Sequence, residues 1–320
     1  MSGKLRGTLK RWREHYFVSN LLSAIAKPLW RISRGIAAQL QSKVVKNGVT
    51  VRLPNGKPMI IGRDAGVGLA SLLFWHGVDG YEPETSRALR FFFAHSSTFV
   101  DVGANCGLYS MVAALSNPEI KVVAFEPFPP IFESLQKNIA LNHLENRVVC
   151  ENLALSSQSG SAVFHIPRSE GKDFATTGTL VAESWQVRQN ADEVQVKTVR
   201  FDEYERSHPM RVDLIKIDVE DFEADVLEGM TETIKRDRPF IVCEILSREH
   251  GNERTRKLIE ALNYTAYWIT SSGYVRVSRF DFERTEFKDF LLSPVSTEHE
   301  VLTELSVLLE AKRPTALGNT

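Results

Sequence analysis

The segment Phe99-Val-Asp-Val-Gly-Ala-Asn-Cys-Gly-Leu-Tyr-Ser110 carries the residue types and spacing best suited to hold a ligand. A short apolar run ends in Asp101, after which Gly103 and Gly107 bracket Ala104 and Asn105 in a loop that opens a helix. Glycines there allow a sharp turn and a close ligand approach, and a helix N-terminus offers unpaired N–H groups. The spacing is Gly-x-x-x-Gly behind an acid, whereas a nicotinamide dinucleotide site would show Gly-x-Gly-x-x-Gly. It suits a ligand built from an amino acid and a nucleoside, with Asp101 facing the positively charged end. Glu126 closes the next apolar run 23 residues after Gly103, where an acid can grip both ribose hydroxyls. Each glycine alone is no more than a strand-to-helix turn. Acid, loop and second acid together point to a nucleoside-type cofactor.

A second constellation lies in Asp213-Leu-Ile-Lys-Ile-Asp-Val-Glu220. In a buried parallel strand Lys216 and Asp218 alternate onto the same face, and buried charges need partners. They form either a salt bridge that pins the strand or a working carboxylate, Asp218, at the strand's carboxyl end with Lys216 orienting it. Glu220, Glu244 at the end of the following strand and His250 in the loop beyond are alternates. Asp218, Glu220 and Glu244 could also hold Mg²⁺, but acids at strand ends are common without metal, and the reading adopted includes none. Glu223 is expected to complement a helix dipole.

The elements that must position these residues alternate as strand and helix. Apolar runs predict strands at Thr98–Asp101, Val122–Phe125, Val148–Leu155, Leu214–Val219 and Phe240–Glu244, with further strand-like runs at Thr265–Ile269, Tyr274–Val277 and Phe290–Leu292. Helical periodicity is expected at Leu108–Leu115, Pro130–Leu141, Phe222–Ile234 and Thr255–Leu262, with one more helix from Glu82 or Glu84 to Ala94. That order implies a mostly parallel sheet covered on both faces. Upstream, Val49, Val51 and Leu53 alternate before Pro54-Asn-Gly56 and Met59–Ile61, a hairpin pattern. Residues 160–200, including Thr176-Thr-Gly-Thr179, form an excursion expected to face the substrate.

The composition, 43% hydrophobic and 25% charged with net charge −1, is that of a soluble globular protein and excludes nucleic acid as the main partner. Three cysteines without a Cys-x-x-Cys pair read as reduced thiols, and no run of 18 apolar residues occurs, so a cytoplasmic protein is expected. Residues 1–47 hold ten basic residues against the single acid Glu14, a net +9, leaving the rest of the chain near −10. Helical periodicity over residues 5–40 makes that segment a candidate for peripheral contact with an anionic membrane, or for packing on the acidic body or a second copy as a homodimer.

Taken together, these motifs resemble the FkbM-type S-adenosylmethionine-dependent methyltransferases. The resemblance runs from Tyr81-Glu-Pro-Glu84 to Phe290-Leu-Leu-Ser-Pro294. It is carried by Asp101–Asn105 with Gly107, Tyr109 and Ser110; by Ala124-Phe-Glu-Pro127 with Asn138, Leu141 and Asn142; by Asn152–Leu155; and by Asp213–Glu220, Val226–Gly229 and Pro239–Glu244. It implies a Rossmann-like α/β fold with the seven-stranded class I methyltransferase sheet over residues 81–296. An N-terminal extension of helices and hairpin (1–80) would precede it, and a tail (297–320) would follow. It further implies S-adenosylmethionine as cofactor, O-methylation of a small-molecule or saccharide acceptor, and Asn152, Leu153 and Ala154 beside the adenine. Asp218 is then the expected base. Where the family has glycine after Asp-Val-Glu, this chain has Asp221, which tolerates positive φ better than most residues. The rival readings are a non-catalytic scaffold of the same fold and an NAD-dependent oxidoreductase.

Overall fold

The computed structural model describes residues 48–62, 67–167, 178–181, 191–246, 251–277 and 287–295. The expected N-terminal helix, His250 and the tail 297–320 lie outside the described residues. The hairpin forms as expected from β1 (Val49–Arg52) and β2 (Pro58–Ile61). Helices α1 (Val67–His76) and α2 (Pro83–His95) follow. The alternating core then runs β3 (Thr98–Val102), α3 (Leu108–Ser116), β4 (Lys121–Phe125), α4 (Pro129–Leu141) and β5 (Val148–Glu151). The excursion contributes β6 (Ala154–Leu155), β7 (Gly160–Pro167) and β8 (Ala191–Val199). The second half is α5 (Phe201–Ser207), β9 (Leu214–Ile217), α6 (Glu223–Gly229), α7 (Thr231–Asp237), β10 (Phe240–Leu246), α8 (Gly251–Ala261), β11 (Tyr264–Thr270), β12 (Gly273–Val277) and β13 (Phe287–Pro294).

The main sheet has eight strands in the order β12-β11-β13-β10-β9-β3-β4-β5. The five from β10 to β5 are parallel, and β13 is antiparallel to β10. This is the Rossmann-like sheet expected, with β12 added at one edge through a hairpin on β11. The central strands are buried along their whole length, Leu214, Ile215 and Ile217 each 0% exposed, because helices cover both faces. One face packs on α2, α3, α4 and the N-terminal hairpin through Phe93, Phe99, Met111 and Leu135, and the other on α5–α8 through Phe201, Val226 and Ile234.

The described part of residues 48–80 belongs to that first core, since Val49, Met59, Ile61 and Leu73 pack in it. Asn138 of α4 and Asn142, the C-cap of that helix, dock the hairpin: Ile60 N donates to Asn142 Oδ1 at 2.8 Å and Gly62 N to Asn138 Oδ1 at 2.7 Å. Asn138 Nδ2 also donates to Cys106 O at 2.8 Å, tying the glycine loop to the same helix.

Two expected elements are divided. The run Val148–Leu155 is two strands, because the chain leaves the main sheet after Glu151 and enters a second, three-stranded sheet (β6-β8-β7) at Ala154. The helix expected over Phe222–Ile234 breaks at Met230, where α6 ends and α7 begins. The three-stranded sheet packs on α4 through Phe128, Ile131, Phe164, Ile166 and Val196, forming a wall above the carboxyl ends of the parallel strands.

Candidate functional site

Beneath that wall is a cleft of about 940 Å³ at the carboxyl ends of β3, β4, β9 and β10. Parallel sheets place ligands there, because the strand ends and helix N-termini converge at one edge. One flank is apolar, with Phe128, Ile131, Leu153, Ala154, Leu155, Phe164 and Leu180. The other is acidic, with Tyr81, Glu82, Asp218, Glu220 and Glu244, while Gly103, Asn105 and Glu126 line the stretch of loop and strand ends that belongs to both.

Gly103 sits at φ +76, and a Cβ there would lie 1.9 Å from the Asp218 carbonyl oxygen. Glycine is required by the β9 terminus that crosses behind the loop. Gly107, at φ +86, is the N-cap of α3, and a Cβ on it would meet Leu135.

Glu126 closes β4 and is 7% exposed. Its Oε2 accepts from Asn105 N at 3.0 Å and its Oε1 from Phe128 N at 2.9 Å, so both oxygens are fixed in place with a lone pair each to spare. Burial pushes the carboxyl up to about 7 against these two amides.

Asp101, expected to face a cationic ligand end, is instead turned into the core at 1% exposure. Ser110 Oγ donates to its Oδ2 at 2.6 Å. It lies in register beside Lys216 on β9, and burial raises its carboxyl in spite of that ammonium. Ser110 and Tyr109, expected at the cofactor, therefore act from behind the loop. Tyr109 OH donates to Glu82 Oε2 at 2.8 Å, and its ring lies 5.0 Å from Lys216 Nζ. Asn152, expected beside the adenine, lines not this cleft but an adjoining groove that shares Pro127 and Leu153 with it. Its amide donates at 2.9 Å to the carbonyls of Glu126 and Pro127, bracing the turn that carries Glu126. Ala104 and Gly107 form the loop without lining the cleft.

At the acidic flank, Lys216 Nζ (3% exposed) pairs with Asp218 Oδ2 at 2.7 Å, so the salt bridge and the strand-end carboxylate are one arrangement. Burial pushes Asp218 up, but the ammonium of Lys216 outweighs it and holds the carboxyl below the usual range. The expected base is thus held in its ionised form by the residue expected to orient it. Two other carboxyls of this flank are raised: burial pushes Glu82 up, and burial with the charges of Asp218 and Glu220 pushes Glu244 up to about 11, so that Glu244 carries a proton that hydrogen bonds to Asp218. Carboxylate atoms of Asp218, Glu220 and Glu244 approach within 4.8 Å of one another, a spacing that could hold a metal ion.

Glu220 and Asp221 both adopt positive φ, 52 and 81, so the position where glycine was expected does need the left-handed region. Asp221 N is satisfied by Glu223 Oε1 at 2.9 Å. Thr179 Oγ1 donates to Glu220 O at 2.5 Å, anchoring the excursion directly to this turn. Sequence reasoning overlooked Glu82 and Tyr81. The signal was an acid beside Pro83 at the start of α2, which reads as an ordinary helix beginning.

A family model described as the methyltransferase FkbM domain matches residues 101–267. The methyltransferase sdnD of Sordaria araneosa is 31% identical over 159 residues, covering 42% of this chain and 60% of that protein. Methyltransferase 1 of Beauveria bassiana is 26% identical over 212 residues, 62% of this chain and 81% of its own length. The hexuronic acid methyltransferase AglP of Haloferax volcanii is 30% identical over 162 residues, 50% of this chain and 61% of that protein.

Proposed function

Since the chain belongs to the methyltransferase FkbM domain family, we propose that it transfers a methyl group from S-adenosylmethionine to a hydroxyl of a small-molecule or saccharide acceptor. The observation that carries this reading is the single cleft with Glu126 fixed at one strand end and Asp218 at another, on either side of the loop that carries Gly103. Its chemistry fits the cofactor. The apolar flank suits a base, Glu126 retains acceptor sites for two ribose hydroxyls, and the acidic flank suits the sulfonium and ammonium charges. AglP by name acts on a hexuronic acid, which favours a saccharide-type acceptor here.

The cofactor supplies an electrophilic methyl group, so the protein's task is alignment and proton removal. Asp218, fixed by Lys216 and Glu244, accepts a hydrogen bond from the acceptor hydroxyl and aims its lone pair at the methyl. A carboxylate held at low pKa is a weak base towards a neutral alcohol. As the new C–O bond forms, however, the hydroxyl oxygen becomes cationic and its proton strongly acidic, so Asp218 receives it late in the step. Glu244, already protonated, keeps the pair from carrying two adjacent negative charges.

Calorimetric binding of S-adenosylmethionine, followed by incubation with the methyl-labelled cofactor and extracts of the source cells, tests the reading. Binding of NAD in its place would support the oxidoreductase, and cofactor binding with no labelled product would support a scaffold. Turnover abolished by chelation and restored by Mg²⁺ would give the three acids a metal instead. Among the described residues no helix is long and apolar enough to cross a membrane. Vesicle flotation of the full chain would test a peripheral role for residues 1–47.

A further inference from the structure

Glu82 departs from what its position in the fold calls for. It is the N-cap of α2 and its carbonyl starts the helix, accepting from Ser86 N at 2.8 Å. The short side chains of Asp, Asn, Ser or Thr at that position turn back onto the first helical N–H groups. Here the side chain makes no capping bond and lines the cleft instead. Its backbone takes the left-handed region, φ 42 and ψ 63, which for a residue with a Cβ persists only where the surroundings enforce it. What enforces it is Tyr109, whose hydroxyl holds Glu82 Oε2 at 2.8 Å from α3, directly behind the glycine loop.

The charges of the acidic flank are unevenly matched. Lys216 gives its contact to Asp218, and Asp218 also receives the proton of Glu244. Glu82 receives phenol donors, and among the described residues it forms no ion pair. Burial raises its carboxyl, so the group is poised to ionise against a cation that a ligand brings. Glu82 and Glu126 also face different charges: Lys216 and Asp218 act on the first, Asp218 and Asp101 on the second. Both acids line the cleft, and the charge of Asp218 acts on each.

Resting on the methyl-donor reading above, we infer that Glu82 receives the ammonium of the amino-acid half of S-adenosylmethionine, with Tyr109 as the positioning residue that aims it. Glu126 then holds the nucleoside half, and Asp218 is left for the acceptor.

The test is calorimetric titration of the full chain and its E82Q and Y109F variants with S-adenosylmethionine, S-adenosylhomocysteine and 5′-methylthioadenosine. The second keeps the ammonium without the sulfonium charge, and the third lacks the amino acid altogether. E82Q should weaken the first two roughly 10- to 100-fold, the scale of a lost charge-assisted hydrogen bond, and leave methylthioadenosine within about twofold. Y109F should weaken the same two ligands by a smaller factor, roughly 3- to 10-fold. Equal weakening of methylthioadenosine would make Glu82 a structural residue and overturn the assignment, as would an unchanged affinity for S-adenosylhomocysteine. Failure of the unaltered protein to bind any of the three would overturn the cofactor reading itself.

Discussion

Replacing Gly103 by alanine should injure the protein through two separable terms. The first is conformational: φ +76 costs a residue with a Cβ about 1–2 kcal/mol. The second is steric, because the new methyl would stand 1.9 Å from the Asp218 carbonyl and must retreat by more than 1 Å. Retreat is resisted on both sides. Gly103 N and Ala104 N donate to Phe125 O at 3.0 and 2.9 Å, and Asp218 N donates to Val102 O at 3.0 Å. Loosening one or two such buried bonds costs about 1–3 kcal/mol, so G103A should lose about 2–5 kcal/mol in total. Gly56 is the control: it sits at φ +83 with nothing within 4 Å of a built Cβ, so G56A should lose only the conformational term. Urea unfolding of both variants at 25 °C reads the difference, which is the steric term of about 1–3 kcal/mol. G103A should also bind S-adenosylmethionine more weakly, because the loop that meets it has moved. If the two variants unfold within about 0.5 kcal/mol of each other, the close approach of loop and β9 is not what demands glycine.

E126A should weaken S-adenosylmethionine binding by about 2–3 kcal/mol in a folded protein, read by calorimetry, and unchanged affinity would refute the ribose role. D218N should lower kcat by roughly two orders of magnitude or more while cofactor binding persists, and near-normal turnover would move proton removal to Glu220 or Glu244. Burial pushes Glu223 up to about 8 from an ordinary 4.5, so the native state keeps a proton that the unfolded chain gives up. Its contribution is therefore fully present below pH 4.5, declines as pH rises and is lost above about 8. E223Q should flatten that decline, gaining roughly 2–4 kcal/mol at pH 8.5 relative to pH 5; denaturant unfolding with parallel slopes for both proteins would refute it.

The parallel strands were legible because a strand buried on both faces is written as an uninterrupted apolar run, as in Leu214–Ile217. The hairpin was legible because its turn chemistry is local. What escaped depends on partners remote in sequence. Val148–Leu155 keeps one apolar character across two sheets, and nothing in Asn152-Leu153 announces the departure. The apolar pattern through Met230 does not mark the helix break there, nor the approach of Ser156 O to Gly229, 2.1 Å from where a Cβ would stand. Helix α1 is apolar nearly throughout and so shows no polar face to mark its period. At the site, acid, loop and second acid identified the cleft but not which carboxylates face it. Asp101 and Glu126 both close strands, yet the first turns inward to Ser110 and the second lines the cavity.

The two ends of the small sheet meet. Ala154 and Leu155 pair in parallel with Thr198 and Val199, so residues 156–197 leave and return through one clamped neck while β5 and β9 keep their places in the main sheet. The polypeptide between those points is topologically an interchangeable cassette, whose length and content can vary without shifting any pairing of the eight-stranded sheet. Descendants of a common ancestor could then diversify the roof of the cleft while inheriting its floor unchanged. In the laboratory, transplanting this cassette between relatives would test whether it carries acceptor preference.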